Sequence, residues 1–147
     1  AMTFDTDMQK VLFVCIHNSA RSQMAEAFLN QMGESRFIAE SAGLEPGELN
    51  PVVVEAMQEV GLDLSGNTCD AIEDFLPRAN EFAYVVTVCD ETAAERCPIF
   101  PGNVKRLHWG FPDPSSLEGP GKERLARTRE IRDLIRGRIE QWLSSTD

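Results

Sequence analysis

Residues 10–28, KVLFVCIHNSARSQMAEAF, place a short apolar run before a polar loop and a segment of mixed polarity. After Lys10 the run to Cys15 is uninterrupted by polar residues, which is typical of a strand buried on both faces of a parallel sheet. From Arg21 onward Met24, Ala27, Phe28 and Met32 recur at helical spacing, and Gly33 follows. The stretch therefore predicts a strand, a loop and a helix over residues 21–32 that ends at Gly33.

Strand and helix signals alternate along the rest of the chain. Further strands are predicted over residues 37–40, 82–89 and 104–109. Helices are predicted from Asn50-Pro51 to Gly61, from Ala71 to Leu76 with Pro77 as the stop, and from Gly121 to Leu143 with Leu134 among its apolar positions. Alternation of this kind predicts an α/β fold, in which right-handed crossovers build a four-stranded parallel sheet with helices on both faces.

Length and composition limit the function classes. The chain has 147 residues, 42% of them hydrophobic and 26% charged, which predicts one globular domain over residues 2–147. Ala1 precedes Met2 and is interpreted as a remnant of recombinant expression. The longest apolar runs, 11–16 and 82–86, are far shorter than the ~20 residues of a membrane-spanning helix. We expect no membrane or nucleic-acid partner, because the net charge is −10.

Four cysteines are the main candidates for chemistry: Cys15, Cys69, Cys89 and Cys97. The sequence holds no Cys-x-x-Cys and two histidines, so a tetrahedral zinc site has little support. No export signal is visible, since acidic residues stand where a cationic segment would be, and we expect a cytoplasmic protein with free thiols. Cys15 and Cys89 close predicted strands, so we expect them at one site beyond the sheet; packing as small hydrophobes is the alternative.

The loop after the first strand has the features of an oxyanion site. It comprises Cys15, Ile16, His17, Asn18, Ser19, Ala20, Arg21 and Ser22. Backbone N–H groups of such a loop can converge on one anion, and the helix N-terminus adds positive potential. Arg21 can bind two anion oxygens, Ser22 can donate a hydrogen bond to the Cys15 sulfur, and the same field favours the nucleophilic thiolate.

Residues 11–29, VLFVCIHNSARSQMAEAFL, resemble the opening of the low-molecular-weight tyrosine phosphatases. Within that fold the run from Arg21 to Glu26 is similar to the arsenate reductases, because phosphatases often have proline where this chain has Gln23. Residues 41–43, 50–51, 86–89 and 108–111 resemble further segments of the family in the expected order.

The resemblance implies a reaction and a role for each thiol. Cys15 would attack arsenate, with Arg21 and the loop amides binding the oxyanion and Asp113 acting as general acid. Cys89 would then attack Cys15 and release arsenite, and Cys97 would attack Cys89 to free Cys15. Thioredoxin would reduce the resulting disulfide; a small thiol with a glutaredoxin is the alternative reductant. Phosphate or sulfate fits the same loop, and we expect a monomer.

The resemblance also points to a potassium ion behind the loop, and to no tightly bound cofactor. The matching oxygen-bearing side chains are Asn18, Glu26, Ser41 and Asp70. An ordinary hydrogen-bond network among them is the alternative. Cys69 is interpreted as a passive thiol and His108 as a structural residue. His17 either supplies its backbone N–H or tunes the field on Cys15.

Two other functions remain open at this point. A protein-tyrosine phosphatase would use Cys15, Arg21 and Asp113 alone, but the further thiols and the single tyrosine, two tryptophans and eight phenylalanines argue against it. Residual phosphatase activity is expected in either case, since phosphate and arsenate have similar shapes. An oxyanion-binding module without activity is less favoured, because nucleophile, arginine and acid are all present.

Overall fold

The computed structural model describes residues 8–89 and 104–145. Its strands are β1 (Gln9–Cys15), β2 (Phe37–Gly43), β3 (Phe82–Thr87) and β4 (Lys105–His108). They form one sheet in the order β2-β1-β3-β4, and every pairing is parallel. The predicted four-stranded parallel sheet is confirmed. The strand that carries Cys15 lies inside the sheet, with hydrogen-bonded neighbours on both sides.

Helical segments cover both faces of the sheet, as predicted. The α-helices are α1 (Arg21–Met32), α2 (Pro51–Gln58) and α3 (Gly121–Ser145), and they bury their apolar residues with Val11 and Phe13 of β1. A 3₁₀ helix, Ile72–Glu81, packs on Leu12 and Val14, which point to the opposite face. Because alternate β1 side chains enter two cores, the strand needs the continuous apolar run seen in the sequence.

The prediction of a short helix stopped by Pro77 is wrong. The 3₁₀ helix continues through Pro77 to Glu81, with Ile72, Phe75 and Ala79 buried against the sheet. Pro77 itself is exposed. Burial of the three apolar side chains therefore outweighs the loss of one backbone donor at the surface.

Other element limits differ from the prediction by a few residues. β2 extends to Gly43 rather than Glu40, because its pairing with β1 continues to the Cys15–Gly43 pair. β3 ends at Thr87 rather than Cys89, β4 spans Lys105–His108, α2 ends before Gly61, and α3 continues to Ser145. Leu134 does not join the core, since it is 56% exposed. The limits of α1 agree with the prediction.

A charged cluster joins α2 to α3. Glu59, directly after α2, lies 2.6 Å from Arg129 Nη2 and 3.0 Å from Arg132 Nη1. Arg132 also donates to the carbonyl of Ala56 over 2.9 Å. The hydrogen bonds from Arg129, followed by those from Arg132, lower the pKa of Glu59 to about 2.

None of the helices within residues 8–89 and 104–145 combines the length and the apolar character that crossing a bilayer requires.

Candidate active site

Cys15 ends β1 and is 2% exposed. The backbone N–H of Asn18 donates to its sulfur over 3.2 Å, and Ser22 Oγ lies 2.9 Å from the same atom. Ser22 Oγ accepts from Asn18 Nδ2 over 2.7 Å, so its own hydrogen is available to the sulfur. Two donors therefore converge on Cys15, an arrangement that stabilises a thiolate.

The loop carbonyls are held on the side away from the sulfur. The carbonyls of Cys15, Ile16 and His17 accept from the N–H groups of Leu44, Glu45 and Gly47, over 3.0, 2.7 and 3.0 Å. A trans peptide directs its N–H opposite to its carbonyl. The N–H groups of residues 16–18 consequently face the other way, and that of Asn18 reaches the Cys15 sulfur. The predicted oxyanion loop thus has its amide donors on one side.

Close backbone contact at Gly43 makes this arrangement possible. A Cβ atom on Gly43 would lie 2.8 Å from Asn18 N and 2.9 Å from the carbonyl oxygen of Ile16. Those atoms belong to the loop backbone, which could not yield without moving the amide donors. Glycine is therefore required where β2 passes beneath the oxyanion loop.

Asn18 fixes the turn of the loop from within. Its φ of 54° lies in the left-handed region, which asparagine tolerates better than most residues. Asn18 Oδ1 accepts from the backbone N–H of Asp70 over 2.9 Å. Gln23 Nε2 donates to the carbonyls of Asn18 and Thr68, over 3.1 and 2.9 Å. The sequence predicts Gln23 only as a family marker and gives no signal of this role, because the contact with Thr68 joins residues 45 positions apart.

Arg21 lies across the site. Its side chain is 6% exposed, and Nη2 is 3.6 Å from Asp113 Oδ2. Nη1 donates to the carbonyl of Phe111 over 3.1 Å. Its Nε is buried and has no hydrogen-bond partner within the described ranges. An oxyanion in the loop would satisfy this donor and offset the buried charge.

Asp113 reaches the site from the loop that follows β4. Its Oδ1 accepts from the backbone N–H of Ser115 over 2.9 Å, which leaves Oδ2 facing Arg21. Pro114 begins a one-turn 3₁₀ helix, Pro114–Ser116, directly after the carboxylate. The structure thus places Asp113 against Arg21, in the first turn of the helix that follows the loop begun by Cys15.

Cys89 is fully buried and shares a core with Cys15. The N–H of the preceding Val88 donates to the carbonyl of Val14 over 2.9 Å, which holds this segment beside the end of β1. Cys15 and Cys69 are free thiols. Cys97 lies outside the described residues, so the structure gives no position for the expected third thiol of the relay.

The four residues matched to a potassium ion are linked in two pairs by hydrogen bonds, and in the first pair the backbone N–H of Asp70 donates to Asn18 Oδ1. Ser41 Oγ donates to Glu26 Oε1 over 2.6 Å. Glu26 and Asp70 line a cavity of about 240 Å³ together with Gln23, Gly66, Asn67 and Thr68. Burial raises the pKa of Glu26 against the Ser41 hydrogen bond, and the carboxylates of Glu40 and Asp70 raise it further. No group of three or more His, Cys, Asp or Glu side chains suits a metal in residues 8–89 and 104–145.

The remaining singled-out residues lie near the loop or at a strand end. His17 is exposed, with Nδ1 2.8 Å from the carbonyl oxygen of Glu45. His108 Nδ1 lies 2.8 Å from Thr87 Oγ1, a contact between β4 and β3. Burial, followed by the charge of Cys15, raises the pKa of the half-buried Cys69 thiol. Because its pKa is raised, the Cys69 thiol is a poor nucleophile at neutral pH.

Comparison with protein families supports the resemblance seen in the sequence. The model of the low molecular weight phosphotyrosine protein phosphatase family matches residues 10–147. The arsenate reductase of Shouchella clausii is 44% identical over 133 residues, which are 90% of this chain and 93% of that protein. The arsenate reductase of Bacillus subtilis is 43% identical over the same shares of the two chains.

Solved structures show the same fold. An arsenate reductase in the oxidized state has a TM-score of 0.78 and 32% identity, and the match covers 94% of this chain and 98% of that one. An arsenate reductase in the phosphate-binding state has a TM-score of 0.69 and 32% identity, and the match covers 95% of this chain and 100% of that one. A thioredoxin-dependent arsenate reductase of Corynebacterium glutamicum has a TM-score of 0.70 and 29% identity, covering 94% of this chain and 60% of that one.

Proposed function

The chain belongs to the low molecular weight phosphotyrosine protein phosphatase family, and on that premise we propose that it reduces arsenate to arsenite. The observation that carries the proposal is a second buried cysteine, Cys89, in the same core as Cys15 and beside the strand that Cys15 ends. Phosphate ester hydrolysis needs one nucleophile and water, whereas reducing arsenic by two electrons needs two thiols. The sequence identity of 44% and 43% with two arsenate reductases supports arsenate reduction.

In the first step, arsenate lies in the loop with its oxygens on the amide donors and Arg21. The Cys15 thiolate attacks arsenic, so that a sulfur–arsenic bond forms and one arsenic–oxygen bond breaks. Asp113 supplies the proton that lets this oxygen leave as water. Arsenate first displaces the Phe111 carbonyl from Arg21, and the guanidinium then offsets the charge of the anion.

In the second step, the Cys89 thiolate attacks the Cys15 sulfur. A Cys15–Cys89 disulfide forms while the sulfur–arsenic bond breaks. The electron pair of that bond stays on arsenic, which is reduced from the pentavalent to the trivalent state and leaves as arsenite. The hydrogen bonds from Ser22 and Asn18 serve Cys15 in the first step, where it is the attacking thiolate.

In the third step, Cys97 attacks Cys89 and restores Cys15 as a thiolate. The resulting Cys89–Cys97 disulfide is reduced by the dithiol of thioredoxin through a mixed disulfide. The structural likeness to a thioredoxin-dependent reductase supports this choice of reductant. The relay requires reduced thiols, and we therefore propose that it operates in the cytoplasm.

A coupled assay tests the relay. NADPH oxidation is followed with arsenate, thioredoxin and thioredoxin reductase, for the wild type, Cys89→Ser and Cys97→Ser. Cys69→Ser is the matched control, because it also removes one thiol. We expect arsenate-dependent oxidation by the wild type and the control alone.

Turnover by Cys97→Ser equal to that of the wild type would remove Cys97 from the mechanism. The phosphatase function would be favoured if neither the wild type nor any variant turned over arsenate while all of them still hydrolysed aryl phosphates. Repeating the assay with glutathione and glutaredoxin identifies a different reductant. The wild type should hydrolyse aryl phosphates weakly, since Cys15, Arg21 and Asp113 suffice for that reaction.

We further propose that Asn18, Glu26, Ser41 and Asp70 hold a potassium ion. The half-buried Glu26 and Asp70 line one cavity, and carboxylate oxygens suit a hard cation. The ion would offset the repulsion between the two carboxylates. Asn18 connects this cavity to the loop, because its side chain accepts from Asp70 and its N–H donates to Cys15.

A further inference from the structure

Asn50 joins three parts of the molecule. Its backbone N–H donates to the carbonyl of Ser19, in the oxyanion loop, over 3.0 Å. Its Oδ1 caps α2 by accepting from the N–H groups of Val52 and Val53, over 2.9 and 3.4 Å. Its Nδ2 donates to Ser115 Oγ over 2.9 Å. The sequence predicts Asn50-Pro51 as the start of this helix but neither of the other two contacts.

The third contact leads to the general acid. The backbone N–H of Ser115 donates to Asp113 Oδ1 over 2.9 Å, and Asp113 Oδ2 lies 3.6 Å from Arg21 Nη2. Arg21 follows Ser19 by two residues, so these bonds close a circuit. The circuit runs from the oxyanion loop through Asn50, Ser115 and Asp113 back to the loop. Its effect is to fix the distance between the anion and the acid.

The choice of asparagine is informative. Serine, aspartate and asparagine cap helices about equally well, but asparagine alone among them has an amide N–H donor. The bond to Ser115 uses that donor. We propose that Asn50 is a positioning residue, which holds the Asp113 loop against the oxyanion loop. The proposal rests on the proposed function, because it assigns Asn50 to the protonation step.

Two variants break the bond from opposite sides. Asn50→Ser retains a capping oxygen and the backbone bond to Ser19 but is too short to reach Ser115. Ser115→Ala removes the acceptor and leaves α2 untouched. Ser144→Ala, on the exposed end of α3, is the matched control.

We expect kcat for arsenate to fall about tenfold in both variants, since misplacing a general acid loses part of its 10²–10⁴-fold contribution. The double variant should match either single variant, because both changes remove the same bond. Affinity for inorganic phosphate should stay within about twofold, as the loop amides and Arg21 are retained. With aryl phosphates, phenyl phosphate should lose more rate than p-nitrophenyl phosphate, whose leaving group needs less protonation.

Hydrogen exchange provides a readout that does not depend on turnover. The N–H groups of Ser115, Ser116 and Leu117 are bonded to Asp113 and Pro114, and they should exchange faster in both variants than in the control. Unchanged exchange, or loss of phosphate affinity in parallel with kcat, would overturn the positioning role. A wild type that neither reduces arsenate nor hydrolyses aryl phosphates would refute the proposed function, and the exchange comparison would still decide the role of Asn50.

Discussion

Ser22 Oγ lies 2.9 Å from Cys15 Sγ, and it is held there by the side-chain amide of Asn18. Ser22 is 0% exposed and Cys15 is 2% exposed, so both are buried. The amide occupies an acceptor position of the hydroxyl and so directs its hydrogen toward sulfur. The hydrogen bond to Cys15, the proposed nucleophile, is therefore part of a hydrogen-bond chain inside the protein.

Ser22→Ala should slow the reaction of Cys15 with iodoacetamide at neutral pH by about tenfold or more, because a hydrogen bond to a charged group contributes roughly 1.5–3 kcal/mol. It should also lower the free energy of unfolding by about 1–3 kcal/mol, since the Asn18 amide loses its buried acceptor. Alkylation followed by mass spectrometry and urea unfolding measure the two effects. Ser65→Ala, at an exposed site, is the control; alkylation equal to that of the wild type would contradict the role of Ser22.

Gly43→Ala should lower both stability and affinity for inorganic phosphate, since the new methyl group would lie 2.8 Å from Asn18 N. We expect a loss of about 1–3 kcal/mol in unfolding free energy from the forced backbone shift. Gly66→Ala is the matched control, because a Cβ there would meet nothing within 4 Å. Thermal unfolding and phosphate titration compare them, and equal behaviour of the two variants would show that the loop tolerates the methyl group.

Glu26→Gln should raise the Tm in potassium-free buffer at neutral pH. The pKa of Glu26 is raised in the folded protein from its ordinary value of 4.5. The stability that this carboxyl contributes is therefore fully present below pH 4.5 and is lost as the pH rises through the folded-state pKa. At pH 4 the variant and the wild type should differ little.

The same pair of proteins tests the potassium proposal. Replacing tetramethylammonium chloride by potassium chloride at constant ionic strength should raise the Tm of the wild type at neutral pH and leave Glu26→Gln less affected. An identical response of both proteins would argue that Glu26 does not bind the ion.

Glu59→Gln should lower stability at neutral pH, because the carboxylate bonded to Arg129 and Arg132 is lost. The pKa of Glu59 is lowered to about 2 from 4.5. The ionised Glu59 therefore stabilises the fold above pH 4.5, and this stabilisation is lost as the pH falls toward 2. The difference in unfolding free energy between the variant and the wild type should shrink over that interval. Urea unfolding at several pH values measures it, with the exposed Glu130→Gln as control. A pH-independent difference would exclude the ionised pair as its cause.

Cys69→Ser should leave arsenate turnover unchanged. Burial and the nearby charge of Cys15 raise the pKa of the Cys69 thiol, so little thiolate is present at neutral pH. Timed alkylation should label Cys15 before Cys69. Faster labelling of Cys69, or loss of turnover in the variant, would show that this thiol takes part.

The oxyanion loop and α1 could be predicted because their signals are local. A strand of apolar residues, a cysteine at its end and an arginine in the first helical turn lie within residues 10–22. The 3₁₀ helix through Pro77 could not be predicted in this way. The length of this helix depends on the burial of Phe75 and Ala79 against a sheet that forms from distant strands. Local helix propensity does not include the energy of that burial.

The contacts that complete the site are also non-local. Gln23 donates to Thr68, Arg21 to the carbonyl of Phe111, and Asn50 to Ser115. Each joins two residues at least 45 positions apart in the sequence. Two of the acceptors are backbone carbonyls, which every residue type has and which therefore leave no signal in the sequence. The sequence indicates which side chains carry chemistry, whereas their supports follow from the tertiary fold.

The order of these residues has a consequence for synthesis of the chain. Cys15 and Arg21 are made before Gly43, Asp70 and Asp113. A growing chain that ends before Asp70 lacks the backbone N–H that donates to Asn18, and one that ends before Asp113 lacks the carboxylate that faces Arg21. The site therefore cannot be complete until Asp113 has been made. During synthesis the Cys15 thiol is present before the residues that complete the site around it.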